Sequence, residues 1–284
     1  MKYNYEHHYV NGLMLHVGHL GPVTGEKIIF LHGFPEFSQS WMQQAEFFAN
    51  KGYHVIVPDQ RGYNLSEKPG QIKDYVLTHL AGDIAALITS LTAYPVAIVG
   101  HDWGGGVAWA VAQFHPRLIS KLVILNIPHL QVMKDQIKTN PVQMLKSWYT
   151  MFFQLPFIPE QIFKAFNYSL PELSMVKTAR PGTFSHTYLM ACKQAWRQPN
   201  ALSAMINWYR AFFQHPVDTD VNIEVPVLLL WGAKDTFLNI KMAEQSIKRC
   251  RDGQLIILDN ATHWLHHEEP MLVNGYIHTF LNKD

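Results

Sequence analysis

Short apolar runs, rich in β-branched residues, alternate with longer stretches whose apolar residues return every three or four positions. KIIFLHG, YHVIVPDQ, PVAIVGH and KLVILNIP are the runs between residues 27 and 128. Continuous apolar character marks parallel strands buried on both faces, and alternation with helical patterns predicts βαβ units. The helical stretches are EFSQSWMQQAEFFANKG and YVLTHLAGDIAALITSL. Upstream, YEHHYVNGLMLHVGHL alternates apolar and polar positions around Asn11-Gly12, the signature of an antiparallel hairpin.

From Leu130 to Val221 the strand pattern vanishes. Aromatic residues, Met and Pro become dense, as in WYTMFFQLPFIPE and MINWYRAFFQHP. Strand pattern returns in VPVLLLWG and QLIILDNA, and a last helix is expected near Met271 to Asn282. The predicted layout is an α/β core in two segments, 1–129 and 222–284, with a helical cap inserted over 130–221.

Composition narrows the function classes. The chain has 284 residues, 48% apolar and 16% charged, with a formal net charge of +1. This describes a folded chain with ample core and no electrostatic footprint for nucleic acid or an anionic membrane. Cys192 and Cys250 lie far apart, which offers neither a disulfide framework nor a zinc signature. The N-terminal stretch lacks the apolar core of a signal peptide, and no apolar run reaches membrane-spanning length. A cytoplasmic protein without stable membrane insertion is expected, and nothing calls for a metal or cofactor.

The chemistry starts at VAIVGHDWGGGVAW, residues 96–109. A strand stops at Gly100 and a helix opens by Gly104, the context in which Gly-x-Ser-x-Gly places a nucleophile on a strained turn. Aspartate stands at the central position, as Asp102. An ordinary helix N-cap also favours aspartate. It does not require Gly100 and Gly104, whereas a strained elbow at which strand and helix pass closely does.

A nucleophile at this turn needs an acid and a histidine arriving later in the chain. His263, in DNATHW, lies just past the final strand run. Asp235, in GAKDTFL, follows the preceding strand and is the expected orienting acid; Asp259, on the same strand end as His263, is its rival. The loop LHGFPEFSQSW supplies a backbone N–H of Phe34 to an oxyanion hole, and Trp103, next to the nucleophile, supplies the second. A dinucleotide site at the triple glycine is excluded, because Trp109 stands where the third glycine should be.

Taken together, HGFP, Asp59-Gln60-Arg61-Gly62, GHDWGG, GAKD and NATHWLHHEEP resemble, in order and spacing, the epoxide hydrolases of the α/β-hydrolase fold. The resemblance spans nearly the whole chain. It implies that Tyr149 in SWYTMFF and Tyr209 in NWYRAFF are cap tyrosines that donate protons to an epoxide oxygen. It also implies a structural rather than catalytic Asp59–Gly62 loop. Thr262 departs from the glycine that many relatives carry there. The implied activity opens a small apolar epoxide to a vicinal diol through an alkyl ester on Asp102. A haloalkane or haloacid dehalogenase of the same fold is the alternative, disfavoured because the Phe34 side chain cannot donate to a halide. A non-catalytic binding member is disfavoured by the intact Asp102, Asp235 and His263.

Overall fold

The computed structural model describes residues 2–283. Among these, eight strands form one sheet: β1 (Asn4–Val10), β2 (Leu13–Leu20), β3 (Lys27–Leu31), β4 (His54–Pro58), β5 (Val96–His101), β6 (Ile119–Leu125), β7 (Val227–Gly232) and β8 (Gly253–Leu258). Their spatial order is β1-β2-β4-β3-β5-β6-β7-β8. The hairpin β1–β2 is antiparallel to its neighbours, and everything from β4 to β8 is parallel. Asn11 and Gly12 both have positive φ, which is the mirror-image turn that a two-residue hairpin needs.

Apolar runs became strands because the inner strands are covered on both faces. β4, β5 and β7 are buried at every residue, and separate apolar clusters line the two sides of the sheet. The edges differ, since β1 is largely exposed and β8 is only half-buried. Helices α1 (Met42–Asn50), α2 (Leu77–Leu91) and α3 (Asp102–Phe114) make the crossovers. The stretch after HGFP is not helical from its start. Ser38–Trp41 is a tight 3₁₀ turn, and α1 begins only at Met42.

Between β6 and β7 the described chain is helical: α4 (Leu130–Thr139), α5 (Pro141–Lys146), α6 (Trp148–Phe152), α7 (Ile158–Thr178), α8 (His186–Trp196) and α9 (Ala201–Gln214). The helices stop at Gln214, and the chain runs irregularly back to the sheet. Helix α7 is broken at Ala165–Tyr168, where Phe166, Asn167 and Tyr168 all have positive φ, a break the sequence pattern does not announce. The remaining helices are α10 (Lys241–Ile247), α11 (Leu265–Glu268) and α12 (Pro270–Leu281).

A buried ion pair fastens the insertion internally. Arg210 of α9 meets Glu160 of α7 at 2.6 and 3.2 Å, and its other N–H groups donate to the carbonyls of Phe153 and Leu155. Removing one partner of such a pair costs about 3–5 kcal/mol, because the other is left buried and uncompensated. Core contacts fasten it externally: the Trp208 indole donates to the Arg61 carbonyl, and the Trp196 indole to that of Pro35. No helix among the described residues is long and apolar enough to cross a membrane.

Candidate active site

Asp102 sits where β5 ends and α3 begins, with φ +49°. That conformation is costly for a residue with a Cβ and marks a strained position. The neighbouring glycines are required by space. A methyl group at Gly104 would stand 2.2 Å from the Leu31 carbonyl oxygen, and one at Gly100 would stand 2.5 Å from that of Gly104. The turn therefore lifts the Asp102 carboxylate off the sheet and into a cavity of about 380 Å³.

Each oxygen of Asp102 has its own neighbour. Oδ1 accepts the Phe34 backbone N–H at 2.9 Å. Oδ2 lies 3.5 Å from Nε2 of His263. The Trp103 N–H belongs to the first turn of α3, whose N–H groups have no partner within the helix. His263 Nδ1 meets Asp235 Oδ2 at 2.8 Å. Asp235 is itself pinned: Oδ1 accepts the N–H groups of Phe237 and Leu238 at 2.7 and 2.9 Å, and Oδ2 also accepts from the Asn126 side chain. Asp259, the rival acid, is exposed on the surface.

These contacts set the charges. Burial raises the Asp102 carboxyl, but the hydrogen bond and charge of His263 outweigh it and hold Asp102 below its ordinary value. Asp235 is likewise raised by burial and held down by His263. Burial works against a charged His263, yet Asp235 and Asp102 together carry its pKa up to about 10. At neutral pH an imidazolium thus lies between two carboxylates.

Tyr149 and Tyr209 line the same cavity as Asp102 and His263, their ring centroids 6.0 Å apart. Both phenols are pushed well up, first by burial and then by the negative charge of Asp102, so both stay protonated. Tyr209 is further fixed by edge contacts with Phe34, Trp103 and Phe153. The rest of the lining is mainly apolar and aromatic, including Phe152, Phe163, Leu170 and Trp264.

The Asp59–Gly62 loop does not line the cavity. Asp59 accepts from the Ser38 N–H, His16 and Asn64, while Arg61 makes a bidentate pair with Asp83 at 2.7 Å. Asn126 was missed by sequence reasoning. It follows β6 with φ +45°, donates to Asp235 and accepts the Gly232 N–H at 2.8 Å. The only trace it leaves in the sequence is a polar residue directly after the apolar run LVIL.

The chain matches the family described as alpha/beta hydrolase fold over residues 27–270. It is 36% identical to Epoxide hydrolase 2 of Caenorhabditis elegans, over 99% of this chain and 81% of that protein. The chain belongs to the epoxide hydrolase family of α/β-hydrolases. It is also 43% identical to the AB hydrolase superfamily protein YfhM of Bacillus subtilis, over 95% of each chain. A solved mutant epoxide hydrolase from Bacillus megaterium, complexed with its naphthyloxy-propanediol product, superposes with a TM-score of 0.87. It is 30% identical, and the match covers 98% of this chain and all of that one.

Proposed function

We propose that this epoxide hydrolase family member opens an apolar epoxide to a vicinal diol through an ester on Asp102. The observation that carries this reading is the placement of one ionised, partly held carboxylate beneath two protonated phenols in a single apolar cavity. Asp102 Oδ2 attacks an epoxide carbon, and the ring C–O bond breaks. The departing oxygen takes a proton from Tyr149 or Tyr209, which bulk water later restores. A phenol suits this task because it is protonated at neutral pH and can donate to a developing alkoxide.

Esterification also switches on the base. While Asp102 is ionised it helps to keep His263 charged. Once Asp102 is an ester, that charge is gone and the imidazole can lose its proton. Neutral His263, oriented by Asp235, takes a proton from water, and the hydroxide attacks the ester carbonyl. The N–H groups of Phe34 and Trp103 face the tetrahedral anion. The anion collapses, the C–O bond to the substrate breaks, and His263 returns the proton to the leaving diol. Water and epoxide are consumed and one diol is released.

The aromatic lining suits aryl and alkyl epoxides, and the naphthyloxy-propanediol held by the Bacillus megaterium relative supports that class. The test is one turnover in ¹⁸O water with enzyme in excess, followed by peptide mass analysis. Label is expected in Asp102, because water attacks the ester carbonyl. Label in the diol alone means direct attack by water and removes Asp102 as nucleophile. Halide release from bromoalkanes or fluoroacetate without diol formation from any epoxide places the chain with the dehalogenases instead.

A further inference from the structure

The roof of the cavity also has an outer side. Residues 141–178 make up α5, α6 and α7, and many of their large apolar side chains point into solvent. Trp148 is 65% exposed, Phe157 78% and Phe166 91%. Along α7, Ile158, Ile162, Leu170 and Leu173 are exposed, while Phe163, Pro171 and Met175 are buried. Both halves of this broken helix are thus apolar on the inner and the outer side. A surface helix normally turns a polar side outward, and one that is apolar all round is covered by something.

Two of the exposed rings sit on strained backbone. Phe157 caps the start of α7 with φ +62°, and Phe166 stands in its break with φ +49°. Positive φ is rare for aromatic residues and persists where structure or function demands it. Burial of the ring is not the demand here, since both rings lie in solvent. Exposed apolar patches of this kind mark surfaces that meet another molecule.

The charges select the occupant. Residues 141–178 contain two acids and three lysines. Both acids are already paired, Glu160 with Arg210 and Glu172 with Lys193, each at 2.6 Å. Lys146 donates to the Asp235 carbonyl, whereas Lys164 and Lys177 are exposed. The net charge of +1 for the whole chain hides this local excess. A second copy docked on the same face would set lysines against lysines, because a two-fold interface presents one patch to itself. An apolar surface edged with lysines fits a bilayer rich in anionic phospholipid, where rings enter the acyl boundary and ammonium groups meet phosphates.

We propose that the outer side of α5–α7 docks peripherally on an anionic phospholipid bilayer. The cavity gives this placement a use. Leu145, Trp148 and Leu170 line the cavity and are themselves exposed, so the cavity opens on this face. An apolar molecule dissolved in the bilayer would enter it without crossing water. The docking does not depend on the reaction proposed above.

The full chain is sedimented with vesicles of phosphatidylcholine containing about one-third phosphatidylglycerol, and with vesicles of phosphatidylcholine alone. Affinity for the anionic vesicles should exceed that for the neutral ones by about tenfold or more and fall as salt is raised. Phe157→Asn combined with Phe166→Asn should lower it by about tenfold or more, with the fold kept because asparagine tolerates positive φ. Lys164→Glu combined with Lys177→Glu should lower it by about as much. Tyr94→Asn, which removes a ring 79% exposed between α2 and β5, should not change it. Circular dichroism checks that each variant is folded. The proposal is overturned if the folded wild type ignores anionic vesicles, binds neutral ones as tightly, or keeps its affinity in the paired phenylalanine variant. Loss of binding in Tyr94→Asn overturns it too. A wild-type dimer that the paired phenylalanine variant dissociates, seen by sedimentation velocity, makes a second copy the occupant and overturns it equally.

Discussion

On the cavity floor, His263 is held by Asp235, which is itself pinned by short hydrogen bonds in the loop after a parallel strand. In the roof, Phe152, Phe153 and Phe163 are placed by packing within the helical insertion. Tyr149 and Tyr209 carry phenol hydroxyls from the roof into the same cavity as Asp102. On the proposed reading, the contrast teaches that reactivity and substrate scope are encoded largely in separate parts of the chain. Hydrogen bonds fix atoms to within a few tenths of an ångström, as a reacting carboxylate demands. Apolar packing fixes a shape and tolerates volume-conserving exchange.

Substitutions should therefore grade steeply from floor to roof. Asp102→Asn has the largest expected effect, a loss of about 10⁴-fold or more in kcat, since it removes the proposed attacking group. A steady-state diol assay measures it, and near-normal turnover would break the comparison at its base. Slow deamidation of the new asparagine must be followed by mass analysis of the same samples.

His263→Gln comes next. It should form the ester and release it very slowly, so intact mass after adding epoxide shows protein plus one substrate. The same variant sharpens the pH behaviour. The His263 pKa is raised, so its stabilising contribution is complete below about pH 6.5 and is lost as the pH climbs through about 10. Thermal unfolding of the wild type should drop over that window, and the drop should be smaller in His263→Gln. Equal slopes for the two proteins would mean that the carboxylates do not hold the histidine charged. Asp102 and Asp235 act in the opposite sense, as their pKa values are lowered: their contribution fades as acid carries the pH down through those values.

The tyrosines sit between floor and roof, and their effect should be intermediate. Removing one donor to a developing oxyanion costs about 10²–10³-fold where it is the sole donor. Either Tyr149→Phe or Tyr209→Phe should cost less, because the partner remains, and the double variant should cost far more than their product. Stopped-flow tryptophan fluorescence can assign the loss to ester formation. An effect on ester hydrolysis alone would take the phenols out of ring opening. Smallest of all, Phe152→Ala should change KM for a bulky aryl epoxide by less than about tenfold and leave kcat for a small epoxide nearly unaltered. A collapse in kcat there would show that the roof also shapes the chemistry.

What could be read in advance follows the same division between local and distant determinants. The elbow was legible because strand, glycine spacing and helix start lie within a few residues. Asp235 could be preferred over Asp259 because each strand end offers its own loop, and the structure places Asp235 against His263. Asn126, the Arg210–Glu160 pair and the Glu36–His267 contact were not legible. Their partners lie 109, 50 and up to 231 positions away, and a pairing made only by folding leaves no local pattern. The break in α7 was hidden for another reason: Ala165–Tyr168 holds neither glycine nor proline, the residues that normally signal such a turn.

The insertion departs from the sheet after β6 and returns at β7, and these strands are hydrogen-bonded neighbours, with Leu125 opposite Leu230. Because the two strands are parallel, the chain leaves at the carboxyl end of β6 and returns at the amino end of β7, so the core sees one long crossover between adjacent strands. Lengthening a loop raises its closure entropy only logarithmically, about 0.6 kcal/mol per doubling. Whole helices between Leu130 and Gln214 can therefore be lengthened, shortened or grafted from a relative without disturbing the strand register. The graft must keep Asn126 after β6 and the Gly232–Asp235 turn after β7, which tie the carboxyl ends of these two strands together. It must also supply two phenols at the heights of Tyr149 and Tyr209. Within those terms, the fold offers a cassette site at which new substrate ranges can be installed on an unchanged reaction centre.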